Sequence, residues 1–143
     1  MDTSLELVRL EIPARPAFVG VARTVVAAVA TSVPGIDDDR LEDLRIAVSE
    51  ACTNAVEAHQ AKGMHQRVVL RCLLDVATLE VRVEDSGSGF DPAAVPTRPP
   101  VDDPAHLSAE RGWGIQLIRA LVDEVKFLPS SQGTAVHLTM HRI

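Results

Sequence analysis

Arg45-Ile46-Ala47-Val48-Ser49-Glu50-Ala51-Cys52-Thr53-Asn54-Ala55 forms the centre of the longest helical pattern in the chain. Asp37, Asp38 and Asp39 open that pattern, where acids satisfy the free amides of a first turn and complement the helix dipole. Lys62-Gly63 breaks it. The spacing predicts a helix from about Asp38 to about Gln60, with Leu41, Leu44, Val48, Ala51 and Ala55 on the core face. Glu50 and Asn54, four residues apart, fall within roughly 40° of each other on it, about opposite the Val48 and Ala55 face. A carboxylate and a carboxamide on one stripe supply oxygens of the kind that Mg²⁺ takes together with waters and phosphate. The same pair, by itself, reads first as a solvated stripe, since such pairs are frequent on amphipathic helices.

Toward the N-terminus, Leu5, Leu7, Val8, Leu10 and Ile12 alternate loosely up to Pro13, which predicts a strand. Pro16 then stands where a helix can begin, and the Ala- and Val-rich run Ala17 to Ser32, closed by Pro34-Gly35, reads as a buried helix. On the other side, Arg67 to Leu74 and Thr78 to Glu84 read as a hairpin joined by Asp75-Val76-Ala77. Asp91 to Glu110 holds five of the nine prolines and almost no periodicity, and a loop of that length in a compact domain is usually a functional lid or disordered. Ile115, Ile118, Leu121, Val122 and Val125 repeat at helical spacing and predict a third helix over Ile115 to Val125. Lys126 to Leu128 and Thr134 to Met140, separated by Pro129-Ser130-Ser131-Gln132-Gly133, predict a closing hairpin. The order gives an α/β (α+β) chain: a two-layer sandwich whose mixed, mostly antiparallel sheet is covered on one face by about three helices.

At 143 residues the chain has the size of one domain, expected to span 1–143. With 46% apolar residues it holds a core without disulfide or metal, and Cys52 and Cys72 lack any paired spacing, so both read as reduced core thiols. Fourteen Lys and Arg against twenty Asp and Glu give a net charge of −6, and aromatics are 3% of the chain. Neither the positive field nor the stacking residues of a nucleic-acid binder are there. The longest apolar stretch, Phe18 to Val33, is interrupted by Arg23 and falls short of the roughly 20 residues of a membrane span. The opening Met1-Asp2-Thr3-Ser4-Leu5-Glu6 carries acids where an export signal carries bases. A cytoplasmic protein, with no membrane and no direct nucleic-acid partner, is expected.

Two glycine clusters complete the chemistry. Asp85-Ser86-Gly87-Ser88-Gly89-Phe90-Asp91-Pro92 follows a strand directly, where glycines let a backbone approach a flat or charged ligand and an acid can accept a hydrogen bond from an exocyclic amine. A plain β-turn reads the same way. Glu110-Arg111-Gly112-Trp113-Gly114 precedes the third helix, where free amides and the helix dipole favour phosphate and Arg111 adds a charged donor. The Gly-Lys-Ser/Thr ending of a Walker loop is missing. His59, His65, His106, His137 and His141 have no ligand spacing and read as surface or strand residues.

Taken in order, Glu50 and Asn54, then Asp85, Gly87 and Gly89, a long lid, Gly112 and Gly114 at a helix, and Gly133-Thr134 in the last hairpin resemble the Bergerat ATP-binding fold of gyrase, sensor histidine kinases and MutL. Within that superfamily the chain is similar to the small single-domain serine/threonine kinases that act as bacterial anti-sigma factors, the RsbW and SpoIIAB type. Arg111 to Arg119 together with Val122-Asp123-Glu124-Val125, and Gly89-Phe90-Asp91-Pro92, carry the likeness most closely. No phosphoacceptor histidine helix pair is present, which argues against a sensor histidine kinase.

The resemblance implies ATP and Mg²⁺ as cofactors. It assigns Asn54 to Mg²⁺, Glu50 to general base toward a serine hydroxyl or water, and Asp85 to the adenine amine, with Gly87 and Gly89 allowing close approach and Thr134 supporting the same pocket. Arg111, Gly112, Trp113, Gly114 and Ile115 would belong to the nucleotide site, beneath an ATP lid at about 92–110. It further implies a homodimer that phosphorylates a STAS-type anti-sigma factor antagonist and sequesters a sigma factor. A non-catalytic ATP-gated binding protein shares every nucleotide-binding residue. Two positions depart from the family's usual pattern: Ala58, with His59 one place later, stands where a histidine often follows the asparagine by four, and Trp113 replaces a more usual leucine.

Overall fold

The computed structural model describes residues 4–60, 67–85, 106–130 and 133–143. Strand β1 (Leu5–Pro13) leads through a single 3-10 turn at Pro16–Phe18 into α1 (Val19–Ser32). Pro16 sits in the first position of that turn, where its fixed φ and missing N–H cost nothing. Helix α2 (Asp38–Gln60) follows, with Asp37 Oδ1 accepting the Arg40 N–H at 2.9 Å and Asp38 and Asp39 in the first turn. Then come β2 (Arg67–Leu74), β3 (Thr78–Asp85), α3 (His106–Leu121), β4 (Glu124–Ser130) and β5 (Gly133–His141).

The five strands lie in the order β1-β2-β3-β5-β4, and every one of the four pairings is antiparallel. Period-two alternation sets the faces. Val68, Leu70 and Cys72 of β2, Leu79, Val81 and Val83 of β3, and Leu138 and Met140 of β5 are buried in one core with the helices. The residues between them carry charge: Arg71 pairs with Glu6 at 2.5 Å and Glu84 at 3.4 Å, and Arg82 pairs with Glu80. One face is thus covered by helices and the other is charged, the two-layer arrangement expected from the element order. α2 is the central helix. Its buried side is wider than the expected stripe, adding Ala47, Cys52 and Val56 to Leu44, Val48, Ala51 and Ala55, while Leu41 is only partly buried. A helix packed against the sheet below and a helix on each side hides more than one face.

The third helix differs from expectation. It spans His106–Leu121 rather than Ile115 to Val125, so Gly112 and Gly114 lie inside it and not ahead of it. Leu107, Ala109, Glu110 and Arg111 are strong helix formers that carry the helix through the two glycines, each costing about 1 kcal/mol relative to alanine. At the other end the Asp123 N–H bonds the Thr139 carbonyl at 3.0 Å, drawing the chain into the sheet and placing Val125 opposite Leu138 in β4. Of the expected lid at 92–110, residues 92–105 lie outside the described residues and 106–110 open α3.

Candidate functional site

The antiparallel register brings the end of β3 and the start of β5 to the same edge of the sheet, where Asp85 and Thr134 are direct cross-strand partners. Both lie on the helix side, continuing the Val81, Val83 and Val136, Leu138 alternation. Gly133 begins β5 at φ 144°, a conformation that side-chain-bearing residues rarely adopt. Thr134 is 4% exposed, the one buried polar residue in an otherwise apolar wall among the described residues.

Above this edge α2 contributes Ala51, Asn54 and Ala55, α3 contributes Ile118, and β4 contributes Phe127. Together with Val83, Asp85, Thr134 and Val136 they line a pocket of about 360 Å³, its open mouth included. The pocket is apolar, with a carboxylate and a hydroxyl at its floor and a carboxamide on its helical wall. That is the composition of a site for a flat, mostly apolar ligand oriented by a few polar groups. The two alanines keep α2 from filling the space. On the α3 side the Arg119 guanidinium lies 5.4 Å from the centre of the Phe127 ring and so braces it.

Glu50 and Asn54 do not lie opposite the core as the helical wheel suggested. Both are half-buried and turned toward α3. A Cβ placed on Gly114 would stand 3.0 Å from Glu50 Oε2, 3.7 Å from Asn54 Nδ2 and 3.9 Å from Asn54 Oδ1. The missing side chain lets the α3 backbone reach this polar pair, in a cradle that a Cβ would fill. Two oxygen-bearing side chains at such a cradle suit a hard cation that keeps waters and phosphate oxygens as its other ligands. Among the described residues no group of three or more His, Cys, Asp or Glu gathers at any point.

Cys52, between Glu50 and Asn54 in sequence, turns into the core, and burial pushes its thiol up to about 12. It stays protonated and takes no part as nucleophile or ligand. Ile115 is buried, and Ile118 is the α3 residue that meets the pocket. Gly87 and Gly89 lie outside the described residues, and Arg111, Gly112 and Trp113 sit on the helical backbone of α3. Sequence reasoning missed Ala51, Ala55, Val83, Ile118, Phe127 and Val136 as lining residues. All six carry the ordinary periodicity of core positions, and only the β3–β5 and β4–β5 registers reveal the gap between them.

Residues 12–140 match the family profile described as the histidine kinase-like ATPase domain. Among curated proteins, the chain is 37% identical over 144 residues to a serine-protein kinase RsbW of Bacillus velezensis, covering 99% of this chain and 89% of that protein. It is 33% identical to the serine-protein kinase RsbW of Bacillus subtilis, with the same coverage. It is 34% identical to that of Listeria monocytogenes, covering 99% of this chain and 90% of the relative. Among solved structures, the RsbU and RsbW domains of a Mycobacterium tuberculosis protein superpose with a TM-score of 0.67 at 22% identity, over 94% of this chain and 32% of that one. This last likeness is one of fold.

Proposed function

The chain belongs to the histidine kinase-like ATPase family, and from that premise we propose that it is an ATP-dependent protein serine kinase that works as a partner switch. The observation that carries the reading is the convergence of Glu50 and Asn54 on the Gly114 cradle, beside the pocket floored by Asp85 and Thr134. Its near full-length relatives are named serine-protein kinases.

The apolar slot is assigned to adenine. Asp85 accepts the exocyclic amine, and the Thr134 hydroxyl holds the same edge, so the base is selected by groups that guanine leaves mismatched. Asn54 would supply an oxygen to Mg²⁺, and the ion would neutralise charge on the phosphates. Glu50 takes the proton from the acceptor serine hydroxyl; the serine oxygen bonds to the γ-phosphorus as the bond to the β–γ bridging oxygen breaks, leaving ADP and phosphoserine. By the family resemblance Arg111, Gly112, Trp113, Gly114 and Ile115 are assigned to the phosphate side and Gly87 and Gly89 to the base, although 111–115 lie within α3, where backbone amides beyond the first turn are paired along the helix. Phosphoryl transfer of this kind rests on positioning and charge neutralisation, with no covalent enzyme intermediate.

The acceptor is a STAS-type anti-sigma factor antagonist and the sequestered partner a sigma factor, with the kinase acting as a cytoplasmic homodimer and a single domain. Among the described residues no helix is long and apolar enough to cross a membrane. A protein that binds ATP only to gate a partner surface would use the same pocket and leave Glu50 without a task, so the kinase names of the relatives favour catalysis.

The test is transfer of labelled phosphate from ATP to a STAS-type antagonist by wild type and Glu50→Ala. Loss of a general base costs about 10²- to 10⁴-fold, with ATP binding retained. Transfer that persists unchanged in Glu50→Ala overturns the base role. ATP binding by wild type with no transfer to the antagonist makes the protein a gated binder.

A further inference from the structure

Arg40, in the first turn of α2, and Asp123, at the junction of α3 and β4, form an ion pair away from the pocket, with side chains 26% and 28% exposed. The paired Asp123 Oδ2 also accepts the His141 N–H at 2.6 Å, and Arg40 Nη2 also donates to the His141 carbonyl at 3.2 Å. One carboxylate thus joins the start of α2, the end of α3 and the end of β5. Burial alone would raise the Asp123 carboxyl, but the His141 N–H and the Arg40 guanidinium outweigh it and hold the group below the ordinary carboxylate range, charged at neutral pH.

Such a pair is a weak source of stability. It is partly open to water, and the Arg40 Nε is buried with no hydrogen-bond partner in the structure, which costs rather than gains. Its effect is geometric. α2 and α3 run antiparallel, with Gly114 against Glu50 and Asn54 at one point and Asp123 against Arg40 further along. At 1.5 Å per residue the two points stand about 15 Å apart on α2. Ile115, Ile118 and Val122 of this arm are buried in or beside the same apolar core as Leu44, Val48 and Ala51. That interdigitated packing already limits sliding, and the ion pair adds a directional anchor at its far end, where α3 gives way to β4.

We infer that the Arg40–Asp123 pair is a positioning device for phosphoryl transfer: it sets how far α3 lies along α2, and so where the Gly114 backbone stands against Glu50 and Asn54. Its consequence for catalysis rests on the kinase reading, and its geometry does not. A displacement of about 1 Å at a reacting group can cost 10²-fold in rate, so a clamp remote from the chemistry controls it through the helix.

The test uses the full chain as wild type, Asp123→Asn, Arg40→Lys and the double variant Arg40→Met/Asp123→Asn. Three quantities are read: the Gly114 amide resonance, kcat and KM for Mg-dependent conversion of ATP to ADP, and Tm. Asp123→Asn is expected to move the Gly114 resonance and lower kcat about tenfold or more, with KM for ATP within about twofold. The double variant is no slower than Asp123→Asn, because the two residues act as one unit, and Arg40→Lys, which keeps the charge, retains part of the rate. A lowered Tm with the Gly114 resonance unmoved, in Asp123→Asn and in Arg40→Lys alike, overturns the inference. Wild type that turns over no ATP counts against the kinase reading, and the Gly114 resonance still decides the clamp.

Discussion

Gly114 of α3 lies against Glu50 of α2 so closely that a Cβ would stand 3.0 Å from the carboxylate Oε2. The backbone there is helical, so glycine serves the placement of its neighbour and not its own conformation. Gly114→Ala gains about 1 kcal/mol of helix propensity and meets only the movable end of the Glu50 side chain. The fold is expected to survive with Tm within a few degrees of wild type, while displacement of Glu50 lowers phosphotransfer at least about tenfold. Parallel melting curves and transfer rates check this, and an unchanged rate would show that Glu50 does not work from this place.

The two cysteines are predicted to be inert in the folded protein. Burial raises Cys52 to about 12 and Cys72 to about 11, so neither forms appreciable thiolate at pH 8, and thiolate is the reactive species. Iodoacetamide at pH 8 should leave the native protein unmodified by mass and label both residues in denaturant. Rapid labelling of native protein would contradict this reading of the core.

His137 gives the stability a pH dependence of definite sign. It faces the charged side of the sheet, opposite Arg82 on β3 and Lys126 on β4, with Glu80 Oε1 at 3.9 Å. Burial, then Arg82 and Lys126, lower its pKa, against the opposite pull of Glu80 and Glu84. The unfolded chain therefore takes up the proton first as pH falls. The cost is absent above the unfolded value of about 6.5, grows as pH drops from there toward the lower folded value, and then levels off. Relative to His137→Gln, wild type should lose Tm between pH 7.5 and pH 5. A difference that stays constant across that range would refute it.

Much of the architecture was legible because single residues announced it. Asp37 to Asp39 marked the start of α2, Pro34-Gly35 the end of α1, and the alternation in Arg67 to Leu74 the face that β2 buries. The site was legible as a set of polar residues and not as a cavity. Asp85 and Thr134 could be named, but that they are cross-strand partners follows from a register set by the whole hairpin. The end of α3 is not legible in the sequence, because Val122 and Val125 fit a helical period as well as Val125 and Phe127 fit a strand period, and the Asp123 to Thr139 hydrogen bond decides between them. Gly114 looked like the conformational freedom of a helix lead-in, whereas inside α3 it serves close approach between two helices.

Calorimetric titration of ATP, with and without Mg²⁺, into wild type, Asn54→Ala and Asp85→Asn tests the central claim that this pocket is a nucleotide site. Wild type should bind with Mg²⁺ strengthening the affinity, and Asn54→Ala should lose that dependence. Asp85→Asn should bind about 10- to 100-fold more weakly, the worth of a hydrogen bond to a charged group. Wild type that does not bind ATP, or Asp85→Asn that binds it as well as wild type, would contradict the account.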